Sequence, residues 1–425
     1  MHGDEYYLFR HAIMRDAAYL LHTPTMRGTL HRVALELIEA HFDTELPEPK
    51  RNLNTGPLPV DAVVSELARH ARFAQDEPYA NIEQLRRCEA QFLIRAGNHA
   101  ERSYDREEAI TAWSRLVEVS DGIVCFYALH RLSGNCRAVG RLGEALRLSE
   151  QAWRLACAEL DSLTKVVALG ELALIHWYQD QPDTARRYLE QAAGLLDDGV
   201  GKGVEANTIG LLAMVLEQLG RLDEAEARYL RALELLKEAG DKHNEGVFLQ
   251  NLAGLYIQRA RNEEGERLLH RAIRLQRETG DDTNYGVALN NLTVLEIERG
   301  NYARAIAYAN DALTVHAKVG NRRSLGLALS NRGMAYRKMG EFERAIADFN
   351  AGLAIHRELD NRSSESNALA EIVLVEIARD NFDTARALWK HSIALTRSIR
   401  SDRDCQEQVD EMRSECRRAG IDPFE

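Results

Sequence analysis

The sequence predicts an all-α protein: a superhelical solenoid of about eight helical hairpins, preceded by an N-terminal helical segment. Three observations carry that expectation. A small residue returns every 40 residues, at Ala145, Ala185, Ala225, Gly265, Ala305, Ala345 and Ala385, and Ala109, 36 before Ala145, opens the series. Self-similarity at roughly 20–50 residues marks stacked supersecondary units, each leaving a flank that only its neighbour can cover. Turn signals recur in the same register: Gly240-Asp241, Gly280-Asp281 and Gly320-Asn321 between repeats, and Gly220, Gly300 and Gly340 within them. Glycine can end a helix in the left-handed conformation, and Asp or Asn can cap the next. Composition agrees, with 45% hydrophobic residues, 7% aromatic residues and 8 prolines in a 425-residue chain, as mostly helical packing built from Ala and Leu requires.

Residues 1–45 read as a helical fragment. Glu5–Phe9 (EYYLF) could form a short strand, and His11–Tyr19 and Met26–Phe42 read as helices, the second with apolar positions at Leu30, Val33, Leu35, Ile38 and Phe42. Residues 46–60 hold four of the eight prolines (Pro47, Pro49, Pro57, Pro59) and read as a linker or an ordered crossing. A connecting helix follows within 61–83, near Val60–Phe73, and the array occupies 84–400, opening with a long helix near Ile82–Glu101. Each repeat pairs a helix A with a helix B, for example Ala345–His356. Small residues stand where backbones approach (Ala213, Ala253 and Gly333 on A; Ala232, Ala272, Ala312 and Gly352 on B), and Trp113, Tyr229, Phe349 and Trp389 fill the gaps on B. Residues 401–425 end the chain, with Asp402–Gly420 as a polar capping helix.

Charge and special residues narrow the function. A net charge of −12 argues against general binding to nucleic acid or anionic membranes. The six cysteines form no CxxC pair, and Cys136 reads as a buried, reduced thiol. No apolar run approaches a membrane span, so a cytoplasmic location is expected. Of the 14 histidines none stands in HExxH, and His11, His22, His31 and His41 are spaced 11, 9 and 10 apart, which does not suit a metal site. Asp223-Glu224 and Glu263-Glu264 open B helices, where the macrodipole favours negative charge. Gly199-Val200-Gly201-Lys202-Gly203 resembles a phosphate loop but lacks Ser or Thr after the lysine, and reads as a joint between repeats. Neither cofactor nor metal is expected, and no nucleophile–base grouping indicates an enzyme.

Asn331-Arg332-Gly333-x-x-Tyr336, Gly340-x-Phe342-x-x-Ala345 and Phe349-x-x-Gly352-Leu353, with Asn291-Leu292, Gly300-x-Tyr302-x-x-Ala305 and Ala312-Leu313 one repeat earlier, resemble tetratricopeptide repeats. The 40-residue period is similar to the long-helix variety found in Pins-type scaffolds, kinesin light chains and bacterial signalling proteins. Gly265, Asn262 and Pro182 depart from the pattern. The resemblance implies a right-handed superhelix with A helices on its concave side. A second resemblance lies in Tyr7-x-Phe9-Arg10-His11-Ala12-Ile13-Met14-Arg15-Asp16-x-Ala18-Tyr19 with Leu30-His31-Arg32, similar to the winged-helix end of bacterial STAND-type regulatory ATPases. That likeness would set His11 where the superfamily senses ADP, yet no GxxxxGK[ST] loop is present, and core packing is the reading for His11.

Asn251, Asn291 and Asn331 occupy equivalent points on successive A helices, with Leu211 and Glu371 in the flanking repeats. A carboxamide offers both donor and acceptor, so such a row can grip an extended backbone, and the resemblance implies that it does. The alternative is a row of solvated or inter-helix polar residues. The remaining candidates for the groove are Gln250, Asn290 and Ser330 before the asparagines, then Gly254, Val294 and Met334 one turn on, then Gln258, Glu298, Arg337 and Lys338. Arg337-Lys338 lean the expected ligand towards an acidic residue. The function expected is that of a scaffold or sensor binding a peptide or partner domain in the groove; the alternative is the ligand-sensing arm of a STAND-like switch.

Overall fold

In the computed structural model the residues described are 19–42, 46, 49–196, 200–399 and 402–424. The possible strand Glu5–Phe9, His11 with the rest of its motif as far as Ala18, Pro47 and Gly199 lie outside them, while Tyr19 and Leu30-His31-Arg32 lie within. Every regular element among the described residues is helical, and the chain divides into two compact units, Met1–Asn135 and Cys136–Glu425.

The first unit holds α1 (Pro24–Phe42), a short 3-10 turn (Pro59–Val63), α2 (Val64–Ala74), α3 (Ile82–Arg102), α4 (Arg106–Val119) and most of α5 (Gly122–Ala138). Between α1 and α2 the proline-rich stretch is an ordered crossing. Leu53 is buried, and Asn98 of α3 donates to the Leu53 carbonyl at 2.7 Å. Arg95 and Arg102 both hold Asp61, each at 2.6 Å. Asp61 is interior, so pairing with two guanidiniums offsets the cost of its burial.

The second unit continues with α6 (Leu142–Glu159), then the hairpins α7 (Ser162–Tyr178) with α8 (Pro182–Ala193), α9 (Lys202–Gln218) with α10 (Leu222–Ala239), and α11 (Lys242–Gln258) with α12 (Asn262–Thr279). Next come α13 (Asp282–Glu298) with α14 (Tyr302–Lys318), α15 (Arg322–Lys338) with α16 (Phe342–Glu358), and α17 (Arg362–Ala378) with α18 (Phe382–Ile399). The chain ends in α19 (Asp402–Arg418).

Caps and turns follow the sequence signals. Asp241, Asp281 and Asn321 each accept from the backbone N–H three residues on, at 3.1, 3.0 and 3.1 Å. The A-to-B turn uses one left-handed residue per repeat: Gly220, Gly300 and Gly340, but also Asp180, Ala260 and Asp380, with φ of 55°, 58° and 62°. A glycine search misses these three.

The hairpin core alternates large and small across a 16-residue offset. Phe349 lies so close to Gly333 that a Cβ there would stand 2.8 Å from the ring, and Trp113 crowds Gly97 in the same way. Trp113, Tyr229 and Phe349 are wholly buried beneath these small positions, as close-packed interiors require. α19 closes the stack with Cys405, Met412 and Cys416, which join Trp389 and Ile377 in one cluster.

Candidate functional site

The first helix of each hairpin (α7, α9, α11, α13, α15, α17) lies beside its counterpart in the next repeat; the Asn291 carboxamide, for instance, donates to the Gln250 carbonyl on the preceding helix at 3.3 Å. Together these helices form a wall. On α11 most of the helix is buried, and a stripe at Val247, Asn251, Gly254 and Gln258 stays open, three or four residues apart. The same stripe on α13 is Val287, Asn291, Val294 and Glu298, and on α15 it is Leu327, Asn331, Met334 and Lys338. The wall face is therefore set by helical periodicity.

Asn251, Asn291 and Asn331 all fall on this stripe and are half-buried. Asn291 uses one N–H on Gln250; Asn251 and Asn331 make no side-chain hydrogen bond with the described residues. Met334 is half-buried beside Asn331, and Glu298 and Lys338 stand exposed at the rim.

Three candidates sit elsewhere. Gln250 and Asn290 are only 2% and 5% exposed, turned to the hairpin interior and not to the wall. The Gln276 amide donates to Gln250 at 2.9 Å. Asn290 bonds the His316 Nε2 at 3.3 Å and the Ser324 carbonyl at 3.3 Å. Ser330, in the same column, has its hydroxyl 3.5 Å from the His356 Nε2. One residue along a helix is a rotation of about 100°, enough to carry a side chain from the open stripe to the core. The column next to the asparagines is thus a polar seam tying each first helix to its own second helix, 26 residues on.

The acidic lean fails at Arg337. Its side chain is 9% exposed and reaches Glu371 on α17 at 2.7 Å and Glu411 on α19 at 3.4 Å. Burial pushes the Glu371 carboxyl up, and Arg337 opposes that shift. The guanidinium is thus neutralised within the protein; only Lys338 of the basic pair is open. A matching pair, Arg137 with Glu171 at 2.9 Å, stands at the other end of the wall. The glycine-rich joint is also accounted for: Gly201 has φ of 84°, and Lys202 pairs with Glu238 at 2.7 Å.

Sequence reading missed Arg323. It enters from the start of α15 and lies over the Tyr178 ring at 4.7 Å and the Trp177 ring at 5.8 Å, with Nη1 3.4 Å from the Tyr178 carbonyl. Nearby the Ser363 N–H donates to Asp180 at 3.3 Å, and Leu359 packs on Gly140. The stack therefore curls until its early hairpins meet its late ones, around a polar cavity of about 610 Å³ lined by Gln179, Asp180, Glu358 and Asp360. Burial lowers the Arg323 pKa, against the pull of Tyr178 and Asp180. Contacts about 145 residues apart leave no periodic trace in a sequence.

Among the described residues no group of histidine, cysteine, aspartate and glutamate is arranged to hold a metal ion, and no helix is long and apolar enough to cross a membrane.

Comparison with known proteins agrees with this geometry. Models of the tetratricopeptide repeat match residues 204–261, 245–318 and 326–359, so the chain carries tetratricopeptide repeats. No curated protein matches it by sequence. Similar solved structures include a Rap protein complexed with competence and sporulation factor (TM-score 0.61, 12% identity, 89% of this chain and 99% of that one). A second is aspartyl phosphate phosphatase F from Bacillus subtilis (TM-score 0.51, 14% identity, 80% and 96%). A third is a signal-transduction ATPase with numerous domains and a tetratricopeptide repeat sensor, from Pyrococcus horikoshii (TM-score 0.51, 13% identity, 91% and 65%). At such identities the likeness is one of fold.

Proposed function

We propose that this array of tetratricopeptide repeats is a protein-interaction module or sensor whose wall of first helices captures a segment of another polypeptide. The supporting observation is the open stripe: three carboxamides in register, half-buried, two of them without a side-chain hydrogen bond among the described residues. Spaced by neighbouring helices about 8–10 Å apart, they would meet an extended backbone roughly every three residues. The Rap structure, solved with competence and sporulation factor, supports a ligand-binding reading of such a stack.

The test is affinity capture with the full chain against the proteome of its source. Asn291→Ala with Asn331→Ala should weaken the captured interaction by about 1 kcal/mol or more, the scale of lost backbone hydrogen bonds. Unchanged affinity in that double variant would remove the wall from the mechanism.

A second reading, the sensing arm of an ATPase switch, draws support from one feature. Met26, Leu30, Val33 and Leu37 form an exposed apolar stripe on α1, and such faces mark docking sites. It predicts an ATPase segment encoded upstream of or beside this one; unrelated neighbours would count against it.

A further inference from the structure

The chemistry of the captured segment can be read from what the wall lacks. The central two turns of four first helices present Asn207 and Met214 on α9, where Leu211 between them is buried in the core, and Val247, Asn251 and Gly254 on α11. The series continues with Val287, Asn291 and Val294 on α13, then Leu327, Asn331 and Met334 on α15. None of these eleven open positions carries an ionisable side chain. The protein carries 54 Lys and Arg and 66 Asp and Glu in all, so a patch this large without charge is a departure from the chain's own composition.

The charges at the two ends are sealed. Arg337 is held by Glu371 and Glu411, and Glu171, 5% exposed, is held by Arg137. One turn outside the patch stand the exposed Glu298 and Lys338 at one end, and at the other His243, beside Asp281, and Arg323, stacked on Trp177 and Tyr178. Apolar columns flank the asparagines: Val247, Val287 and Leu327 on one side, Met214, Val294 and Met334 on the other. In the second column Gly254 leaves a notch, where a Cβ would be 3.8 Å from the Asn291 amide.

We infer that the wall selects an uncharged, extended segment of about seven to nine residues with apolar side chains at intervals of about three, and discriminates against acidic and basic segments alike. This rests on the groove reading above and names its ligand class. The length follows from three spacings of about 8–10 Å covered at about 3.3 Å per residue. The selectivity follows from desolvation: an ionised side chain laid on this surface loses water and gains no counter-charge. Leu327, 37% exposed, together with Met334 supplies the apolar contact that the segment covers.

The experiment is selection of the full-length protein on a random nine-residue peptide library with every residue type equally represented, followed by binding titrations of the winners by fluorescence anisotropy. The expected result is enrichment of peptides with no Asp, Glu, Lys or Arg in the central seven positions, and at least a tenfold loss of affinity when a central apolar residue is replaced by Asp or by Lys. Val287→Lys should move the selection towards acidic peptides. Enrichment of acidic or basic peptides by the unaltered protein, with binding still lost in the Asn291→Ala, Asn331→Ala variant, would overturn the ligand class and leave the groove standing. Winners that bind that double variant unchanged would overturn the groove reading, and this inference with it. So would a library from which nothing is selected.

Discussion

Individual residues carry two unlike kinds of information here. Equivalent positions 40 apart must share a face once the helix is granted, so Asn251, Asn291 and Asn331 could be grouped as one row, while the face they share was set only by the coordinates. Their immediate neighbours Gln250 and Asn290 could not be assigned without coordinates, since a polar residue suits an open wall and a buried seam equally well. The seam has a measurable consequence. Burial lowers His316 and His356 to a pKa of about 4, below the usual 6.5 of the unfolded chain. The folded protein then binds fewer protons than the unfolded chain as pH falls from about 6.5 to 4. The stability these neutral histidines maintain is complete above that window and is lost within it. Position 276, their equivalent in an earlier repeat, is glutamine. His316→Gln should therefore leave stability at pH 7.5 within about 1 kcal/mol and flatten its fall below pH 6, read by urea unfolding across pH; an unaltered pH slope would contradict the assignment.

Elements were the most legible level. Helix starts were marked by Asp or Asn and inter-repeat stops by glycine, and both proved to be working caps. The exceptions teach the limits of the rule. Ala260 takes φ of 58° at the turn where other repeats use Gly220 or Gly300, a conformation that costs an L-residue roughly 1–2 kcal/mol. The neighbouring hydrogen bonds, such as Arg261 N–H to the Tyr256 carbonyl at 2.8 Å, impose it regardless of side chain. Ala260→Gly should raise stability by about 1 kcal/mol, after the entropy of the unfolded glycine is counted, and thermal or urea denaturation checks it. A loss of stability would show that the turn is not strained. The proline-rich crossing illustrates the same point: its prolines excluded a helix, but only Asn98, Arg95 and Arg102 reveal what holds it.

At the scale of the second compact unit, curvature decides what the repeats can do together. The period announced a stack; how tightly the stack curls depends on small rotations between repeats that accumulate without any local signal. Arg323 on Trp177 and Tyr178, and Asp180 on the Ser363 N–H, record where the curl closes. A guanidinium over aromatic faces contributes about 0.5–2 kcal/mol. Arg323→Ala should therefore lengthen and broaden the separation of spin labels placed at Gln181 and Arg362, as read by pulsed electron resonance. An unchanged distribution would mean that other contacts hold the closure.

The function argued here requires that the wall, and not the outer face built by the second helices, touches the captured chain. Photo-crosslinking from a benzophenone residue at Met334 on the wall, compared with one at Arg267 on α12, the second helix of another hairpin, tests this directly. A covalent adduct to the captured polypeptide is expected from position 334 and none from position 267. Adducts from position 267 alone would contradict it.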